Sequence, residues 1–313
     1  MLTYPKISII TVNLNNGPFL EEAILSVIEQ QYPNLEYIII DGGSTDGSLE
    51  IIKRYEAHLT YWESVADKGQ YYALQKGFDK STGDILAWIN SDDKYLPKSF
   101  FAVAEIFQKF PEVQWLMGQT KEYTQRGVLV GQIGLPWSRW SKLRYYTNDF
   151  QFIQQESSFW TRSLWEKAGA YIDTDQKLAA DMELWARFFR FEKLYTTTLE
   201  LSGFRHRQDF QRSKAFRELY LDECKNVIKR ERQQLPFRVK AKLPLYTILR
   251  WCAGPFFFFD IPVINKIYPW IFKIPRLIQY DFQVHDYTYK DRLAKQPSFF
   301  VRGKQVHRKM LKS

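Results

Sequence analysis

Two cysteines, Cys224 and Cys252, are all that 313 residues contain. That is too few for a disulfide framework or a cysteine-built zinc site, and it fits a reducing cytosol. No stretch reaches the roughly 18 uncharged apolar residues of a membrane-spanning helix. The longest candidate, KLPLYTILRWCAGPFFFFDIPVINKIYPWIFKIPRLI, is interrupted by Arg250, Asp260 and Lys266. The opening MLTYPKISIITVN lacks the length and small-residue cleavage site of a signal peptide and reads as a buried first strand. Also missing is a G-x-G-x-x-G after that strand, where the turn reads Asn13-Leu14-Asn15-Asn16-Gly17. A dinucleotide-binding Rossmann domain is disfavoured, since nothing there lets a pyrophosphate sit against the first helix terminus. The P-loop pattern is missing too, and there is no internal repeat or low-complexity linker.

What is present is aromatic and basic. Hydrophobic residues make up 45% and aromatic residues 17%, enough for one sizeable core with a small appended layer. The rings can serve the core, stack on bases or sugars, or enter a membrane interface. The net charge of +9 is concentrated after about residue 200, in Phe204-Arg205-His206-Arg207 and in the tail from Arg302 to Lys312. Acids of the first half sit at element ends. This asymmetry points to an acidic or metal-binding catalytic half and a basic docking half.

The order of elements is more specific. Ile7 to Val12 is a continuous β-branched run, as a strand covered on both faces requires. Pro18 then opens a helix with apolar residues at Phe19, Leu20, Ala23, Ile24, Val27 and Ile28. The unit recurs with strands at Leu35–Ile40, Leu59–Trp62 and Ile85–Ile89, and with helices carrying Leu49, Ile52 and Tyr55, then Tyr71, Leu74 and Phe78. Helix Pro97–Phe107 and strand Val113–Met117 follow. From Gly118 to Asn148 the spacing predicts loops and short antiparallel strands, and a second helical stretch runs from Thr174 to Phe191. Alternation of this kind implies an α/β fold, a mostly parallel sheet with helices on both faces. Ligands of such sheets bind beyond the carboxyl ends of the strands, where Asp41 and the Asp92-Asp93 pair fall.

At these residues the chain resembles family 2 glycosyltransferases. SIITVNLNNGPFLEEAILSVIEQQYPNLEYIIIDGGSTDGS is similar to their opening, and ESVADKGQYYALQKGFDKSTGDILAWINSDD to their second and third nucleotide-sugar segments. The resemblance implies a GT-A, Rossmann-like domain that transfers a sugar with inversion from a nucleotide diphosphate donor, UDP being the commonest carrier. It places Thr11 and Asn13 near the nucleotide, makes Asp41 an acceptor for the nucleobase and gives Asp67 a part in holding that base. It sets Asp92 near the ribose and Asp93 on a divalent metal. Mg²⁺ or Mn²⁺ suits that place, since these hard cations choose carboxylate oxygen and neutralise a leaving diphosphate.

The family sets its general base in an acidic motif at a helix start, where this chain reads Ala179-Ala180-Asp181-Met182-Glu183-Leu184-Trp185. Ala180 stands where the first acid is usual, which leaves Asp181 and Glu183. Leu178, Met182, Trp185 and Phe189 define a buried stripe at helical spacing; Asp181 flanks it and Glu183 points well away. Asp181 is therefore the expected base, with Glu156 a further acceptor-site candidate. Phe204-Arg205-His206-Arg207, followed by Gln211-Arg212-Ser213, resembles a late family segment and sets His206 or an adjacent arginine against the diphosphate or metal.

The expectation is a catalytic domain over residues 1–225 and a helical, aromatic and basic segment over 226–313 that docks on an anionic membrane surface. The acceptor is a glycan or lipid-linked sugar in cell-surface polysaccharide synthesis, the location is the cytoplasm at the inner face of the plasma membrane, and nucleic acid is not a partner. A nucleotidyltransferase would want a glycine-rich basic phosphate loop after the first strand. A non-catalytic membrane or nucleic-acid binding protein would leave the acids at strand ends unexplained.

Overall fold

A computed structural model of the chain describes residues 4–133, 142–148, 153–208, 215–253 and 275–290. Strands β1 (Ile7–Asn13), β2 (Leu35–Asp41), β3 (Tyr61–Ser64) and β4 (Ile85–Asn90) alternate with helices α1 (Gly17–Ile28), α2 (Ser48–Arg54) and α3 (Gln70–Lys80). β1 lies between β2 and β4, and these pairings, like β2 with β3, are parallel. Every residue of β1 is buried, as its continuous apolar run requires. Ile7 and Ile9 join the apolar layer on one face, and Ile10 and Val12 the layer on the other. α3 approaches β1 so closely at Gly77 that a Cβ there would stand 2.5 Å from Ile10 Cγ2.

The second half departs from simple alternation. After β5 (Lys94–Tyr95) and α4 (Ser99–Lys109), strand β6 (Trp115–Thr124) runs on through Gly118, beyond the expected end at Met117. It pairs antiparallel with β7 (Leu129–Ile133), in line with the short antiparallel strands expected there. Helix α5 (Lys142–Tyr146) follows, and β8 (Ser158–Thr161) inserts antiparallel between β4 and β6. After α6 (Arg162–Lys167) and α7 (Ala180–Phe191), β9 (Tyr195–His206) pairs parallel with β6. The sheet order is β11-β10-β9-β6-β8-β4-β1-β2-β3, with β10 (Leu277–Asp281) and β11 (Asp286–Lys290) as a terminal hairpin.

Helix α7 begins at Ala180 and not near Thr174, because its start is fixed from a distance. Glu223, on α8 (Arg217–Gln234), accepts the backbone N–H groups of Lys177, Leu178 and Ala179 at 2.9–3.0 Å. A carboxylate in that position satisfies orphan donors and complements the helix dipole. One turn beyond Asp181, the indole of Trp185 stacks between Trp88 of β4 and Trp115 of β6, at centroid distances of 5.7 and 5.2 Å. α7 is thus wedged between sheet and α8, with both edges of its first turn held.

The division expected at residue 225 falls inside α8, whose Cys224, Val227 and Ile228 enter the same apolar layer as β1 and α7. The aromatic run Phe256 to Phe272, Gln211 to Ser213 and the basic tail lie outside the described residues.

Candidate active site

Two groups of polar side chains meet at the carboxyl ends of β1, β2 and β4. The first is a cradle at Asn13 and Asp41, which face each other across the β1–β2 ladder. Asp41 Oδ1 accepts Asn13 Nδ2 at 2.7 Å and Ser44 Oγ at 2.5 Å; Oδ2 accepts the Ser44 N–H at 2.9 Å and Ser64 Oγ at 2.6 Å. Burial would raise its pKa, but the bonds from Ser44, Ser64 and Asn13 outweigh that and hold the carboxyl below its usual range. Because the Asn13 amide nitrogen must donate to Asp41, its Oδ1 turns the other way, and that buried oxygen has no hydrogen-bond partner. Asp67 accepts the Gly69 N–H at 2.7 Å, where φ of +123° favours glycine, and its other oxygen lies against Gly42. Thr11 sits deeper, its hydroxyl 3.1 Å from Tyr37 Oη within the sheet.

The second group is a cluster of carboxylates, Asp92, Asp93, Glu156 and Asp181. Asp93 is 3% exposed; its Oδ1 accepts the Arg205 N–H at 3.0 Å and Oδ2 the Asn90 amide at 3.3 Å. Burial, then the charges of Asp92 and Glu156, push its pKa well above the usual range. Asp92 is the more open of the pair, with Arg207 Nη1 3.7 Å from its Oδ2. Glu156 arrives on a single turn, Gln155–Ser157, tied to the end of β4 by Gln155: Nε2 donates to Trp88 O at 2.6 Å, and Oε1 accepts Asn90 Nδ2 at 3.2 Å. Its Oε1 is buried without a partner, and burial raises the carboxyl to about 7. Asp181 opens α7 and accepts the Met182 N–H at 2.7 Å; burial, reinforced by the charge of Glu223, lifts it to about 6. Asp181 and Asp92 both act on Glu156, so the acids form one electrostatic unit.

Glu183 is not in that unit. It does point away, yet it faces protein rather than solvent: it is 6% exposed and takes Arg187 Nε on both oxygens at 2.9 Å. Arg187 is held in turn by the carbonyls of Ala168 and Tyr171. His206 Nε2 meets Glu122 Oε1 at 3.2 Å, while its neighbours Arg205 and Arg207 border the Asp92-Asp93 pair. Among the described residues, no set of three or more His, Cys, Asp or Glu side chains forms a ready metal cage. Asp92 and Asp93 are the carboxylates that would hold Mg²⁺ or Mn²⁺, hard cations that one or two carboxylates bind together with donor phosphates.

The loss of Asp41 is expected to strip Asn13, Ser44 and Ser64 of their shared acceptor. Asp41→Ala should then lower nucleotide affinity by roughly tenfold or more, measured by calorimetry. Unchanged affinity would leave Asp41 a turn residue only.

The sequence matches the family model for glycosyl transferase family 2 over residues 8–164. An uncharacterized glycosyltransferase of Mycobacterium tuberculosis (strain H37Rv) is 31% identical over 191 residues, 58% of this chain and 68% of that one. TuaG of Bacillus subtilis (strain 168), named as a teichuronic acid biosynthesis glycosyltransferase, is 34% identical over 96 residues, 29% of this chain and 37% of its own. Among solved structures, residues 1–349 of S. aureus TarS in complex with UDP-GlcNAc superpose with a TM-score of 0.60 at 17% identity, covering 83% of this chain and 77% of that one. That likeness extends the shared fold past residue 164.

Proposed function

The chain belongs to glycosyl transferase family 2 and is a transferase, and from that premise we propose that it moves a sugar with inversion from a nucleotide diphosphate carrier, UDP first among candidates, to a glycan or lipid-linked acceptor in cell-surface polysaccharide synthesis. The observation that carries the reading is the convergence of Asp92, Asp93, Glu156 and Asp181 beside the Asn13–Asp41 cradle. The unpartnered Asn13 Oδ1 offers an acceptor for an N–H of the nucleobase. The bound UDP-GlcNAc of TarS supports a uridine donor, and the name of TuaG supports the polysaccharide role.

In the reaction proposed, an acceptor hydroxyl oxygen forms a bond to the anomeric carbon as the bond from that carbon to the diphosphate oxygen breaks. The electron pair leaves with the diphosphate, and the hydroxyl proton passes to the carboxylate of Asp181. A carboxyl titrating near 6 is largely ionised at neutral pH and still basic enough to take a proton in the transition state. Asp92 and Asp93 would hold a divalent cation, which supplies charge for the departing diphosphate. Arg207 adds fixed positive charge beside the same pair. Glu156, raised to about 7 chiefly by burial, also feels the charges of Asp181 and Asp92.

The test is incubation of the protein with UDP-glucose, UDP-GlcNAc and GDP-mannose, with Mg²⁺ or Mn²⁺ and with chelator. Release of nucleoside diphosphate from one donor, lost on chelation, is expected. No release from any donor with either cation would overturn the reading.

A further inference from the structure

Along one flank of α8 lies an open hollow of about 480 Å³ lined by Asn148, Lys225, Lys229, Arg232, Gln233 and Lys240. Its charged residues are all basic. Beside it, α9 (Phe237–Lys240) and α10 (Lys242–Ala253) carry large apolar side chains in water: Phe237 is 83% exposed, Leu245 56% and Ile248 59%. Leu245 and Ile248 stand three residues apart on one face of α10, while Tyr246 is buried and Leu243 packs on the core. The stretch from Leu235 to Phe259 holds Arg238, Lys240, Lys242 and Arg250 and no Asp or Glu.

We propose that the basic hollow and the exposed face of α9–α10 form a docking surface for an anionic phospholipid bilayer. Charge decides the occupant. A water-exposed ring and two aliphatic side chains, in a stretch whose charged residues are Arg238, Lys240, Lys242 and Arg250, have the composition of an interfacial segment whose ring enters the acyl boundary and whose cations meet headgroups; of the hollow's own cations, Lys225 is shared with Asp222 at 3.1 Å. A surface for a second copy of this chain would have to bring these cations against the same cations, or against acids elsewhere on the molecule. The position adds a consequence. α10 packs on α5, and the hydroxyl of Tyr145 in α5 donates to the carbonyl of Met182, next to Asp181. The docked face is thus one helix layer from the candidate base, which sets the site beside a membrane-borne acceptor. Only that consequence rests on the proposed transfer reaction; the docking surface does not.

Flotation of the full chain with phosphatidylcholine vesicles, with and without phosphatidylglycerol, tests the proposal. The protein should float with the anionic vesicles at low salt, at least roughly tenfold more than with neutral ones, and less as salt rises. Lys225→Glu combined with Lys229→Glu and Lys240→Glu should abolish most of that binding, as should Phe237→Ser with Ile248→Ser. Both variants should keep the far-UV circular dichroism and thermal transition of the parent, so a loss of binding is not a loss of fold. The proposal is overturned if the parent stays below the anionic vesicles at low salt or if the folded variants float as well as the parent. It is equally overturned if the apolar variant merely turns a dimer into a monomer at unchanged flotation. Absence of nucleotide release with intact flotation would overturn the transfer reading alone.

Discussion

Replacing Asp181 by asparagine is expected to slow nucleoside diphosphate release in the presence of acceptor by roughly 10²–10⁴-fold, the usual contribution of a positioned general base. The amide keeps the shape of the side chain and can still accept the Met182 N–H, so α7 should begin as before. What it cannot do is take the acceptor proton. Nucleotide affinity should be retained, because the hydrogen bonds that hold the cradle run among Asn13, Asp41, Ser44 and Ser64. The sign of the pH dependence follows from the raised carboxyl. Activity of the parent should climb as pH rises through about 6, where Asp181 ionises, and the variant should lose that limb. Glu183→Gln gives the contrast: it breaks a buried pair with Arg187 and should cost about 3–5 kcal/mol of stability while sparing the rate of the molecules that remain folded. If Asp181→Asn keeps most of its rate, the base lies elsewhere, and Glu156 is the carboxylate to test next.

Much of this was legible in the sequence because the relevant signals are local. A continuous β-branched run such as Ile7 to Val12 has few ways to be satisfied except as a covered parallel strand, and an acid just past its partner's end falls at the ligand edge. Helix phase separated Asp181 from Glu183. Glu156 was legible only as a secondary candidate, since Gln154 to Ser158 has no apolar period. What brings it between Asp93 and Asp181 is the bonding of Gln155 to Trp88 and Asn90, more than sixty residues away in the chain. The antiparallel insertion of the four-residue β8 has the same character: its neighbours are a choice of tertiary packing. The Glu183–Arg187 pair, by contrast, stands at i, i+4, and that spacing was present to be read.

Charge state separates structural acids from the cluster. Glu36 is also buried, but Lys6, Ser8 and Thr82 surround it with donors, and its carboxyl falls to about 2 despite the cost of burial. Asp41 is likewise held below its usual range by its donors. Asp93, Glu156 and Asp181 are pushed the other way, because burial first, then the charge of neighbouring acids, which for Asp181 is Glu223, outweighs the bonds they receive. Burial disfavours the ionised form of all three carboxyls, and a divalent cation would favour that form by supplying the charge the surroundings withhold.

These raised carboxyls make a second large effect testable without knowing the acceptor. Carboxyls raised in the folded state, Asp181 to about 6 and Glu156 to about 7, bind protons more tightly folded than unfolded. Their contribution to stability is therefore present below the unfolded carboxyl range near pH 4 and is lost as pH rises through 6 and 7. The protein without cation should melt at a lower temperature at pH 8 than at pH 5. Mn²⁺ with UDP should restore more at pH 8 than at pH 5, since cation and proton compete for the same oxygens; at a hundredfold excess over the dissociation constant the gain is about 2.7 kcal/mol. Asp93→Asn keeps an acceptor for the Arg205 N–H and removes one charge from the cluster. The variant should accordingly melt higher than the parent at pH 8 without cation, lose the increment given by Mn²⁺ with UDP, and lose at least roughly 10²-fold in transfer. Scanning calorimetry at both pH values, beside nucleotide release, reads all of these. A variant that keeps the full cation-dependent shift would move the metal off Asp93 and leave Asp92, the more open carboxylate of the pair, as its anchor.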